Sequence, residues 1–237
     1  MIDDPNAIPG WYGKVPGLGD FASRRLPAEF IRPWDMWLQE VLQATRGSLG
    51  DEWLECYLTM PIWRFALLPG LVGESGWAGV LMPSVDRVGR QFPLTLAAAA
   101  SSNVALAHAV FESGSWFAGL EDVALGMLDP ARTPDDLDRA LAACTVTFPE
   151  PPEPDGMRGS MRRLPSAEAF ESVAKGEALQ AWARALAFRT LWWTRGRIDA
   201  DPLMVVSAEL PTAEEFEGLL RSRVSPVSLS APPRGVA

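Results

Sequence analysis

Histidine and cysteine are almost missing from this chain. His108 stands alone, and the only cysteines, Cys56 and Cys144, lie in unrelated segments. No Cys/His cluster has metal-ligand spacing, so a zinc centre is not expected, and two isolated thiols make no disulfide framework. Both cysteines fall in apolar helical patterns, where a small buried thiol is ordinary. His108 sits in the alanine-rich "ALAHAVF" with no nucleophile motif beside it, which leaves triad chemistry without its base. Gly73-Glu74-Ser75-Gly76-Trp77 misses the Gly-x-Ser-x-Gly nucleophile elbow by one position. The residues therefore favour a binding or scaffold role over an enzyme, with no cofactor and no metal.

Positive charge is also scarce. Against 30 acidic residues stand 21 basic ones, a formal charge of -9. Nucleic-acid affinity comes largely from Lys and Arg displacing condensed counterions, so nucleic acid is not an expected partner. No stretch approaches 18 uninterrupted apolar residues, and Met1-Ile2-Asp3-Asp4-Pro5 lacks the basic-then-apolar order of a secretory signal. The expectation is a cytoplasmic protein without direct membrane insertion.

What the sequence does contain is core material: 48% hydrophobic residues and ten tryptophans in 237 positions. A chain of this size buries roughly 70 to 75% of its unfolded surface. Phe30, Trp34, Trp37, Leu38, Val41 and Leu42 recur at three- and four-residue spacing, which predicts a helix from about Ala28 to Thr45. A shorter helical segment at Trp53, Leu54, Tyr57 and Leu58 follows. Apolar runs at Ile62 to Leu68, Trp77 to Met82 and Phe92 to Ala98, bounded by Gly and Pro, read as buried strands. Their short connections favour antiparallel neighbours. Helical patterning runs from Val104 to Leu128, then from Pro134 to Cys144, where Thr133 is the N-cap and Asp135 and Asp136 offset the dipole in the first turn. Phe148 to Pro165 is rich in Pro and charge and reads as an exposed loop. Helical pattern returns at Ala167 to about Leu186. Two strands at Phe188 to Thr194 and Pro202 to Ser207 follow, then a closing helix with a capping box at Thr212 and Glu215. From Val224 the tail reads as disordered. The expected architecture is one α/β domain over residues 1–223: a three-layer helix-sheet-helix sandwich around a mixed, partly antiparallel sheet.

Three constellations are candidates for chemistry. In "GWYGKVPGLGDF" (Gly10 to Phe21), Gly13-Lys14 is followed by Val15-Pro16. The hydroxyl of a phosphate loop is missing, and Pro16 removes an amide donor. Gly17-Leu18-Gly19-Asp20-Phe21-Ala22 fits a relaxed dinucleotide pattern, but that motif must follow a buried strand and open a helix. The structural alternative is that Gly17 and Gly19 supply positive φ while Asp20 caps the next turn or pairs with an arginine. The second constellation, Ser84 to Gln91, sets Asp86 beside Arg87 and Arg90. Two guanidiniums can clamp a phosphate or an acidic side chain, or Asp86 can pair with Arg87, Arg90 or Arg64 and fix the loop. The third is Trp192-Trp193. On a strand these indoles point to opposite faces, so either both faces are covered or one indole is an exposed anchor.

Taken in order, "YGKVPGLGDF", "LPAEFIRPWDMWLQ", "WRFAL", "GVLMPSVDRVGRQFPL", "LWWT" and "ELPTAEEFEGLL" resemble the type VI secretion-associated family called TagF. The similar blocks span roughly residues 11 to 42, 62 to 97 and 188 to 220. The resemblance implies a cytoplasmic accessory protein that represses assembly and firing of the secretion machine after translation. It also implies a link to a forkhead-associated (Fha) scaffold and the threonine-phosphorylation pathway. Some members carry a metal-dependent phosphatase domain, but none of that enzyme's aspartate motifs is found here. Gln91 stands where the family pattern has an aromatic, and residues 101–187 carry no matching block. Lys14, Asp20, Ser84, Asp86, Arg87, Arg90, Trp192 and Trp193 carry over as signature positions, without assigned roles. The competing expectation is that Lys14, Asp20, Asp86, Arg87 and Arg90 converge on a nucleotide or phosphorylated ligand, with hydrolysis as a further step.

Overall fold

The computed structural model describes residues 8–145, 189–194 and 203–221. The expected loop at 148–165, the helix at 167–186 and the tail from 224 lie outside them. Seven strands form one sheet: β1 (Gly10–Gly13), β2 (Ala22–Arg24), β3 (Trp63–Leu67), β4 (Gly76–Met82), β5 (Leu94–Ala100), β6 (Thr190–Trp193) and β7 (Met204–Ser207). Their spatial order is β2-β1-β5-β4-β3-β6-β7. Every neighbouring pair is antiparallel, which corrects the mixed, partly antiparallel sheet expected above. The long connection from β5 to β6 is the reason. It makes no parallel crossover but carries the chain past β4 to the far side of β3, where β6 enters antiparallel.

The six α-helices among the described residues are α1 (Ala28–Leu49), α2 (Trp53–Thr59), α3 (Asn103–Glu112), α4 (Gly114–Gly126), α5 (Pro134–Ala142) and α6 (Ala213–Arg221). Side chains of a strand alternate between faces. Trp63, Phe65 and Leu67 accordingly join a core built with α1, α2 and α6, whereas Ala66 joins a second core with α3, α4 and α5. Both cores meet the central strands, and β3 and β4 are buried along their whole length. No helix among the described residues is long and apolar enough to cross a membrane.

Local chemistry sets the element ends. Helix α1 runs past the expected Thr45 because Gly47 stays helical, and it stops at Gly50. The zone expected as one helix from Val104 breaks at Ser113 into α3 and α4, with Ser102 capping α3 by accepting the Ala105 N–H at 3.1 Å. Thr133 and Asp136 form a reciprocal capping box on α5. Thr212 and Glu215 do the same on α6, where the Thr212 N–H donates to Glu215 Oε2 at 2.8 Å and the Glu215 N–H to Thr212 Oγ1 at 3.3 Å. Such caps satisfy backbone donors that the first turn leaves orphaned.

Aromatic packing joins the α1 layer to the sheet. The Trp34 indole stacks nearly parallel to that of Trp192 with centroids 6.0 Å apart, and Phe65 lies 5.0 Å from Trp34 and 5.4 Å from Trp192. Trp37 adds contacts to Trp192 at 5.5 Å and to Phe216 of α6 at 5.7 Å. Pairs of this geometry contribute beyond their area. Trp192→Ala is expected to cost about 3–5 kcal/mol in urea unfolding. Met204→Ala, at an exposed position of β7, should stay within about 0.5 kcal/mol.

Candidate functional site

The polar centre of the molecule lies where the loop after β1 meets the loop between β4 and β5. Gly13 ends β1 at φ +134°, and a Cβ there would stand 2.1 Å from the Pro93 carbonyl oxygen. The close approach sends Lys14 inward, where it is only 4% exposed. Its ammonium donates to Asp86 Oδ2 at 2.9 Å, and the Asp86 side chain has no solvent contact. The other bonds to Asp86 come from its own turn. Arg90 Nε donates to Oδ2 at 2.6 Å, while the Val88 and Arg90 amides donate to Oδ1 at 3.0 and 2.9 Å. A carboxylate has about four acceptor sites, and here they are filled.

Three further bonds tie the loops together. Ser84 Oγ donates to the Lys14 carbonyl at 2.8 Å, the Arg87 N–H donates to the Leu18 carbonyl at 2.8 Å, and an Arg90 guanidinium nitrogen donates to the Gly19 carbonyl. From α2, the buried Tyr57 hydroxyl donates to the Ser84 carbonyl at 2.7 Å and accepts the Ser84 N–H at 3.0 Å. Burial pushes the Tyr57 phenol well above its ordinary value. Above the ion pair, the Lys14 ammonium lies 5.0 Å from the centre of the Phe21 ring, and that ring packs edge-on against Phe92 at 4.7 Å.

Thus Lys14, Ser84, Asp86 and Arg90 converge, whereas Asp20 and Arg87 are exposed on the same two loops. Asp20 accepts the Phe21 N–H at 2.8 Å, and no arginine pairs with it among the described residues. Arg64 turns away from Asp86 and forms a two-bond pair with Glu121 of α4, at 2.6 and 2.9 Å. Neither Gly17 nor Gly19 has the positive φ expected of it. Gly17 is required for space: a Cβ would lie 2.6 Å from the Arg132 carbonyl oxygen. Trp192 and Trp193 lie on β6, four strand spacings or about 19 Å from β1. Trp192 is fully buried, and Trp193 is half-buried on the opposite face, edge-on to Phe117 at 4.9 Å.

The pairing of Lys14 with Asp86, 72 positions apart, escaped the sequence reading. The available signal was a lysine set among the apolar Trp11, Tyr12 and Val15, a position that needs a counter-ion once those neighbours are buried. The anchor at the β2 edge of the sheet was equally hidden. Asp138 of α5 accepts the Trp11 indole N–H at 2.9 Å and pairs with Arg24 and with Arg25, the latter at 2.7 Å.

This geometry limits the chemistry. The lysine of the glycine-rich stretch is neutralised internally, and the buried strand β1 that precedes the glycines is followed by strand β2 instead of the helix a dinucleotide motif requires. Among the described residues no group of three or more His, Cys, Asp or Glu is placed to hold a metal ion.

Burial alone would raise the Asp86 carboxyl, but Lys14, Arg90 and the two turn amides outweigh it and hold it well below the usual carboxylate range. A depressed carboxyl contributes stability that is present above its unfolded-state value of about 3.9 and is lost as the pH falls toward the folded value. Unfolding measured between about pH 5 and 2 should therefore show wild type losing more stability than Asp86→Asn. At neutral pH, Lys14→Met should cost about 3–5 kcal/mol, because it strands a buried charge. Magnesium nucleotides should leave the melting temperature unchanged, where a specific site at 100 times its Kd would add about 2.7 kcal/mol.

Comparison with known proteins gives the relationship. Residues 10–144 match the TagF N-terminal domain, type VI secretion system-associated. The crystal structure of PA0076 from Pseudomonas aeruginosa PAO1 is similar over 94% of this chain and 99% of that one, with 33% sequence identity and a TM-score of 0.71. No curated protein matches.

Proposed function

This chain belongs to the TagF N-terminal domain family of type VI secretion system-associated proteins, and on that premise we propose that it is a cytoplasmic repressor acting after translation on assembly and firing of the secretion machine. It acts by protein–protein binding to the Fha scaffold, without catalysis and without a cofactor. The observation that supports this reading most is the internal use of the polar centre. Asp86, its densest node, takes Lys14, Arg90 and two backbone amides, so the charges hold two loops together instead of lining a reaction site. A phosphate or a hydrolysed substrate needs donors left free to meet it, and Lys14 is already committed to Asp86. Loops clasped by a buried ion pair are suited to presenting a surface, and a repressor that withholds a scaffold requires no more.

The test is a pull-down of the purified full chain with the purified Fha scaffold, joined to a secretion assay in a strain lacking the chain. Stable binding and increased secretion in the deletion are expected. Absence of binding together with unchanged secretion refutes the reading.

A further inference from the structure

The two loops zipped by Lys14, Asp86 and Arg90 carry an outer face of a different character. Val88, at the tip of the turn, is 68% exposed, and Phe21 is 44% exposed although its ring is held by Phe92 and Tyr12. Around them stand guanidiniums. Arg87 is exposed and has no side-chain partner among the described residues. Arg90 is fixed by Asp86 and the Gly19 carbonyl, yet its side chain is still 58% exposed. Arg46 of α1 reaches the same turn, donating to Gln91 Oε1 at 3.1 Å. Counting the exposed Arg46, Arg87 and Arg90 against Asp20 and the half-buried Asp35, which accepts the Tyr12 hydroxyl beside Phe21, leaves a positive excess on this face, on a chain whose net charge is -9. An aromatic ring and arginines on a preformed support are the side chains enriched at protein interfaces, and a fixed guanidinium loses little freedom on pairing with a carboxylate.

We propose that this face, Phe21 and Val88 rimmed by Arg46, Arg87 and Arg90, docks an acidic segment of a protein partner. The segment sets a carboxylate against Arg87 and an apolar side chain between Phe21 and Val88. Charge complementarity identifies the occupant: the patch is basic on an acidic protein, so opposite charge attracts while the remaining surface repels non-specific approach by acidic chains. The assignment of the partner as the Fha scaffold rests on the function proposed above; the docking face does not.

The experiment uses full-length chain carrying Arg87→Glu or Val88→Asp, both at exposed positions, with Met36→Asp on the exposed side of α1 as the control. Thermal unfolding first establishes that each variant is folded. Binding to the purified Fha scaffold is measured at low and high salt, and secretion is measured with each variant replacing the chromosomal copy. The expected result is at least tenfold weaker binding for both patch variants and secretion released from repression, with Met36→Asp unchanged and wild-type affinity falling as salt rises. Folded patch variants that bind and repress like wild type overturn the docking face and leave scaffold binding intact. If wild type does not bind the scaffold while the patch variants still release secretion, the docking face stands and the scaffold is the wrong partner. Patch variants that change only self-association in sedimentation velocity make the occupant a second copy of this chain, which also overturns the proposal.

Discussion

The ion pair between Lys14 and Asp86 is the contact on which the loop architecture depends. Buried charges require partners, because an ion taken out of water without one costs several kcal/mol. Here each charge is the other's partner, and Asp86 then organises its own turn through two backbone amides. The β4–β5 loop is thereby locked to the loop after β1, and both are held to α2 through Ser84 and Tyr57. A buried pair of this kind is weak evidence for overall stability, since well-packed apolar residues often do as well. What it supplies is a unique register between two loops that lack regular structure.

Around that pair the molecule divides its labour. The tryptophans of α1 and β6 join one helical layer to the sheet, and the pair between Arg64 and Glu121 joins β3 to the helices on the other face. Those contacts hold the framework and are inward. The loop pair lies along β1 and the β4–β5 connection, so its outer face is supported from below by strands buried on both sides. A surface presented in this way loses little conformational entropy on binding, the usual advantage of a preorganised interface.

The sequence was most legible where one physical signal dominated. The helical stripe at Phe30, Trp34, Trp37 and Leu38, the buried runs of β3 to β5, the N-cap at Thr133 and the capping box at Thr212 each come from local rules. Strands β1 and β2 were missed because they hold four and three residues and begin or end in glycine-rich sequence, too short for a period of two to appear. Sheet direction was misread because it depends on where the long connection after β5 returns, which no local pattern encodes. In the same way the polar blocks were recognisable, but the partner of Lys14 was not, since two residues 72 positions apart meet only once the sheet has formed. The glycines of the opening stretch make the point again: Gly17 is needed for the close approach of the Arg132 carbonyl, a neighbour 115 positions away.

The most direct test of the account is a double-mutant cycle at the central pair, read by equilibrium unfolding of Lys14→Met, Asp86→Leu and the two combined. If the pair is an internal clasp, each single change strands a charge, and the combined variant is more stable than the less stable single variant, with a clear coupling between the two sites. Effects that simply add would contradict the account, because they would mean that Lys14 and Asp86 act independently and that the loops are fixed by something else.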